Sequence, residues 1–248
     1  MNKIYILWLR QLKRYLRSRS RIVGALAQPM LYLAALGYGF GAVFRQAGQG
    51  SYLLFLTPGV VGMTIIFTSM FSGMEVIWDR QFGFLKETLV APMPRFNVML
   101  GRTLGGATVA TLQALIVLVA SLFFGFRPNN WLMLIPVVPC MFLLSLLFTA
   151  LGTAVASALS DMQGFQMIMN FMVMPLFFFS GAIYPLSGLP PALAVVVSIN
   201  PLSYGVDALR GLLLGASHYG FALDLAVMLG ATLLCLWFGS RMFQRIEA

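Results

Sequence analysis

Twenty-three consecutive uncharged residues separate Arg21 from Arg45, and a run of that length leaves few folds open. As a helix it reaches about 34 Å, enough to cross a hydrocarbon core of about 30 Å. The same criterion marks further runs near 53–78, 103–126, 131–159, 165–184 and 220–240, for six crossings in all. The predicted fold class is therefore an all-α polytopic membrane protein, a single transmembrane domain over 1–248. Composition agrees: 60% of the residues are hydrophobic and 9% are charged, against roughly a quarter charged in a soluble domain.

The net charge of +9 would suggest nucleic acid in a soluble chain. Here the basic residues cluster at the ends of apolar runs, where they set topology and meet anionic lipid, so no nucleic-acid partner is expected. With the N-terminus in the cytoplasm, thirteen of the sixteen Lys and Arg fall on the inner side, and only Arg45, Arg127 and Arg210 face out. Both termini and the loop 79–102 are then cytoplasmic. The basic region up to Arg21 and the long run after it do not fit a cleaved signal peptide, so the N-terminus is expected to be retained.

Three segments stand apart from the crossings. Residues 1–21 contain an amphipathic stretch over 3–17, with Ile4, Trp8, Leu12 and Tyr15 on one face and Arg10, Lys13, Arg14 and Arg17 largely opposite. That pattern predicts a helix lying in the membrane interface; the plainer alternative is a disordered basic tail. The loop 79–102 carries Arg80, Lys86, Arg95 and Arg102 against Asp79 and Glu87, with Phe82, Leu85 and Leu89 at helical spacing. It reads as a short docking helix, capped by Asp79 and ended by Ala91-Pro92. Residues 185–200 hold too short an apolar run after Pro190-Pro191 to cross, and suggest a re-entrant piece followed by a helix start at Asn200-Pro201.

Catalytic chemistry finds no support. Lys occurs only at 3, 13 and 86, none preceded by Gly, so the phosphate-binding GxxxxGK[ST] loop is absent. His218 is the one histidine, with neither HExxH nor GxSxG nearby. Cys140 and Cys235 lie in separate apolar segments without metal-ligand spacing, and no metal site follows. Among acids near the crossings, Glu75 is expected to reach the interface or pair with Arg80, Asp161 falls in a short inner loop, Asp224 lies near the outer end of the last crossing, and Asp207 and Arg210 are spaced to pair locally. Glu75 is also the best candidate ion-binding group were the chain a secondary transporter or channel working without an ATPase. Pro175 marks either a hinge or a tolerated proline in the fifth crossing. The spacings Gly37/Gly41 and Gly101/Gly105 are weak evidence of helix pairing. The Met- and Phe-dense passage 162–179 could line a path for an apolar substrate, but lipid-facing or packing residues are the favoured reading.

Two passages, DRQFGFLKETLVAPMPR at 79–95 and FSGAIYPLSGLPPALAVVVSINPLSYGVDALRG at 179–211, resemble the signatures of the type-2 permeases of ATP-binding-cassette exporters. The similarity extends over essentially the whole chain and is greatest to the daunorubicin-resistance and nodulation lipo-oligosaccharide branch. The resemblance implies that Arg80, Phe82, Gly83, Phe84, Leu85, Lys86 and Glu87 form a coupling helix seated in a separate ATPase subunit. It implies re-entrant outer helices across Tyr184–Pro201, with Tyr184, Pro185, Gly188, Pro190, Pro191, Asn200 and Pro201 closing the exit. The expected assembly is two permease copies and two ATPase subunits in a prokaryotic cytoplasmic membrane. ATP and Mg would bind the partner, no cofactor would bind this chain, and the cargo would be amphipathic or hydrophobic: a drug, a lipid or a lipid-linked glycan.

Overall fold

The computed structural model describes residues 3–46, 50–83 and 94–244. Its regular elements are helical throughout: α1 (Lys3–Arg17), α2 (Arg19–Gly39), α3 (Gly41–Gln46), α4 (Tyr52–Ser72), α5 (Met74–Gln81), α6 (Arg95–Phe123), a 3-10 turn (Trp131–Met133), α7 (Leu134–Ala158), α8 (Met162–Phe178), α9 (Pro191–Ile199), α10 (Pro201–Leu214) and α11 (Phe221–Gln244). No strand occurs among the described residues. Five stretches are long and apolar enough to cross a membrane: Ile22–Gly39, Tyr52–Gln81, Arg95–Phe123, Trp131–Ala158 and Phe221–Gln244. The polytopic all-α class is thus the observed one.

Helix α4 is the axis of the bundle. It is apolar on every side, the pattern of a helix enclosed by others, and α2, α6, α7 and α10 pack around it. Leu56, Ile65, Ile66 and Met70 are fully buried. Its Thr57 and Thr64 hydroxyls donate to the carbonyls of Leu53 and Val60, which lets polar side chains be enclosed at little cost. The second crossing breaks at Gly73, where the chain meets the Gly152 carbonyl of α7 too closely for any Cβ.

Two expected boundaries move. The fifth crossing, read as 165–184, is the 17-residue helix α8, which at about 1.5 Å per residue extends only about 25 Å. Asp161 starts it by accepting from the Gly164 N–H. It stops at Phe178 because the following backbone is engaged elsewhere: Arg210 donates to the Gly181 carbonyl at 3.0 Å and Tyr52 to the Ile183 carbonyl at 2.8 Å. The loop read as 79–102 is also shorter, since α5 runs to Gln81 and α6 starts at Arg95. Asp79 therefore lies inside α5 and does not cap a docking helix.

The outer segment takes the expected bent form. Pro191 opens α9, Pro201 opens α10, and the two helices meet at 86°. Asn200 caps α10 by accepting from Leu202 N–H at 3.0 Å, satisfying one of the four amides a helix start leaves unpaired.

Candidate functional site: the base of the charged hairpin

Where α5 ends and α6 begins, three helices bring charges into contact, with Glu75, Asp79 and Arg102 buried and Arg10 and Arg14 partly exposed. Glu75 and Asp79 are four residues apart on α5, hence on one face, and are 5% and 6% exposed. Arg10 and Arg14 have the same spacing on α1. Arg14 meets Glu75 at 2.5 Å, Arg10 meets Asp79 at 3.5 Å, and the buried Arg102 of α6 meets the second oxygen of Asp79 at 2.5 Å. Burial alone would lower the Arg14 pKa, but the hydrogen bond and charge of Glu75 outweigh it and hold the pKa above the usual arginine value. The guanidinium stays charged at any physiological pH. The predicted alternative, Glu75 with Arg80, is not what forms: Arg80 donates to the Leu159 carbonyl at 3.1 Å.

Helix α1 does more than border this cluster. Its apolar face is seated along α6, and the pair Gly101/Gly105 makes the seat. A Cβ at Gly101 would approach the Ile4 carbonyl to 3.1 Å, and one at Gly105 would approach Gln11 Cβ to 2.7 Å. Trp8 Nε1–H donates to Thr108 Oγ1 at 2.9 Å, and the Tyr15 hydroxyl donates to Gln113 Oε1. The small residues thus serve a contact within one chain. The N-terminal stretch is an ordered helix, and the disordered-tail alternative falls.

Both arms of the hairpin are tied to the rest of the bundle. On the α5 arm, Trp78 donates to Met162 Sδ and Arg80 to Leu159, which couples it to the α7–α8 turn. On the α6 arm, Arg95 donates to the Gln244 carbonyl at 2.6 Å, at the end of α11. Of the predicted docking residues, Arg80 is half-buried at the base. Phe82 is 73% exposed at the C-terminus of α5, and Gly83 turns the chain at φ 80°. Phe84, Leu85, Lys86 and Glu87, with Ala91-Pro92, lie outside the described residues.

The predicted outer residues form a second constellation. Tyr184 and Pro185 are half-buried in the turn after α8, Gly188 turns at φ 80°, and Pro190 and Pro191 start α9. Asn200 Nδ2 donates to the Leu176 carbonyl at 2.6 Å, tying the bend to α8. Ser203 and Tyr204 of α10 donate back to Val197 and Ser198 of α9, each at 2.8 Å. Asp207 and Arg210 do not pair. Asp207 accepts from Ser217 Oγ and from the His218 and Tyr219 amides, so the residues that close the α10–α11 turn use its oxygens. Arg210 reaches Gly181 and lies 4.1 Å over the Phe55 ring. Pro175 stands within α8, which continues past it to Phe178.

Between α8 and α9 lies an apolar cavity of about 770 Å³, bordered by Met167, Phe171, Pro175, Phe179, Val196 and Ile199. Met167 is 77% and Phe171 84% exposed. The Met- and Phe-dense passage is therefore divided between buried packing residues such as Phe165 and Met169 and an exposed apolar strip.

The residues that sequence reasoning missed are Arg10, Arg14 and Arg102 as partners of Glu75 and Asp79. A signal was there: acids four apart at the end of one apolar run, arginines four apart on an amphipathic helix.

Five long apolar helices among the described residues, with a charge cluster at one end of the bundle and a bent helix pair after α8, make this an integral, multi-pass membrane protein. The profile of the ABC-2 type transporter family matches residues 2–214, from α1 to the end of α10, and the chain belongs to that family. Its sequence is 30% identical over 210 residues to "Putative transport permease ycf38" of Pyropia yezoensis, covering 78% of this chain and 68% of the relative. It is 28% identical over 196 residues to Nodulation protein J of Rhizobium leguminosarum bv. trifolii, covering 78% and 74%. Nodulation protein J of Rhizobium meliloti is 28% identical over 197 residues, covering 79% and 74%. The chain is thus a multi-pass membrane component of a transporter.

Proposed function

We propose that this chain is the permease half of an ATP-driven exporter in a prokaryotic cytoplasmic membrane. Two copies form the path, and two separate ATPase subunits, which bind ATP and Mg, seat on the hairpin between α5 and α6. The carrying observation is mechanical. Both arms of that hairpin are fastened to α1, to the α7–α8 turn and to the end of α11 by ion pairs and hydrogen bonds. A rigid-body push on residues 80–87 is then passed to the second and third crossings together, and through them to α4 at the centre of the bundle. The bent pair α9–α10 and its turn at Tyr184–Pro191 would close the outer end, with Pro175 as a hinge.

The exposed apolar strip of α8 and the cavity beside α9 support a second copy, with an amphipathic or hydrophobic cargo moving between the two. An ATPase-independent mechanism loses its best candidate, because the Glu75 carboxylate is held by Arg14. The test is the double substitution Leu85→Asp with Glu87→Arg in membranes that contain the ATPase. Transport falls to background while the chain inserts in normal amount; undiminished transport by the correctly inserted variant overturns the reading.

A further inference from the structure

Apart from the ion pairs of Arg10 and Arg14 with α5, the side of α1 turned away from α6 makes none of the contacts above. A shallow cleft of about 580 Å³ runs along it, bordered by Ile6, Leu9, Arg10, Lys13, Arg14 and Arg17. Four of these six are cations and none is an acid. Tyr5, Ile6 and Leu16 are exposed on the same helix at 47%, 50% and 57%, so the surface alternates apolar area with positive charge. We infer that this cleft binds the phosphate headgroup of an anionic phospholipid of the surrounding bilayer, and that the bound lipid reinforces the attachment of α1 to the hairpin base.

Position favours lipid over an acidic protein surface. Only Ser18 separates α1 from α2, so the cleft ends where the first crossing begins. Trp8 stacks on Tyr5 with ring centroids 5.5 Å apart, an aromatic pair of the kind found at headgroup depth. An acidic protein would satisfy the cations and leave Ile6 and Leu16 in water, whereas a phospholipid meets both chemistries at once. Charge balance points the same way. At the hairpin base three guanidinium groups face two carboxylates, and Lys13 and Arg17 add further positive charge. Arg14 spends one terminal nitrogen on Glu75, and a guanidinium has further N–H donors for a phosphate oxygen. A headgroup there would meet the open side of an ion pair already bound to α5.

The inference rests on the proposed placement of α1 at the membrane surface, but its test needs no ATPase, so its failure is separable from failure of ATPase docking. The purified full-length chain is placed in nanodiscs of phosphatidylcholine with phosphatidylglycerol at three to one, and retained lipid is counted by native mass spectrometry. Phosphatidylglycerol is retained in preference. Lys13→Gln with Arg17→Gln, both exposed and outside the Glu75–Asp79 cluster, reduces its affinity on the order of tenfold, while Arg45→Gln with Arg127→Gln leaves it unchanged. Backbone amides of residues 3–17 exchange more slowly in the anionic discs for the parent chain only. Equal retention by the two double variants, or displacement of the lipid by free inorganic phosphate at millimolar concentration, overturns the inference.

Discussion

Arg102 is 4% exposed, and two of its guanidinium nitrogens have no hydrogen-bond partner beyond the contact with Asp79. Removing one member of a buried pair leaves the other charge enclosed and uncompensated, which costs about 3–5 kcal/mol. Arg102→Met is therefore expected to lower thermal stability in detergent by that order, and Asp79→Asn added to it recovers most of the loss. Arg10, which also faces Asp79, keeps the single variant from the upper end of the range. Asp224 presents the opposite case. It is fully buried in the first turn of α11, and neither oxygen has a hydrogen-bond partner. A carboxylate so placed opposes folding, so Asp224→Asn is expected to raise the melting temperature, by about 1 kcal/mol or more of stability. A lower melting temperature would show that the charge has a stabilising role.

Among the elements, α1 is the one whose attachment defines its role. Its contact with α6 depends on the absence of side chains at Gly101 and Gly105, across which Leu7 and Gln11 lie flat. Gly105→Val places two methyl groups where Gln11 now sits, an overpacking worth about 1–3 kcal/mol. The expected result is detachment of α1 with the bundle intact. Hydrogen exchange accelerates across residues 3–17, while the amides of α4 keep their protection. If α1 and α4 lose protection together, the helix is an integral part of the bundle fold and not a separable coupling element. The bent pair shows the reverse arrangement. Helix α10 is buried along most of its length, while Val195 and Ile199 of α9 are exposed, so the bend converts one apolar segment into a buried half and an exposed half.

For the assembled protein, the distribution of exposed apolar surface is the main clue to what a second copy covers. Helix α8 has few neighbours within the chain, chiefly α4 and α5, and its outward residues border the large cavity. If two copies meet there, Phe171→Cys is expected to form an oxidative crosslink between copies in native membranes, whereas Val119→Cys on α6, 56% exposed, does not. A crosslink at Val119 with none at Phe171 would move the interface to the other side of the bundle.

Much of this architecture is readable from local pattern, because a lipid environment leaves the backbone few choices. A charge-free run must be helical to satisfy its own hydrogen bonds, so the crossings, the amphipathic α1 and the proline-started helices α9 and α10 follow from run length, periodicity and cap chemistry. The candidate coupling and outer-exit residues were marked instead by the resemblance of two contiguous passages, and their roles are proposals. Ion pairing was not legible in this way. Glu75 with Arg80, and Asp207 with Arg210, are neighbours in the chain, yet the folded protein pairs Glu75 with Arg14 and turns Asp207 and Arg210 onto separate backbone groups. Which charges meet depends on which helices cross and at what depth, and that depends on where glycines let backbones approach. Local spacing carries helix periods and ends; partnership between distant helices is a property of the packed bundle alone.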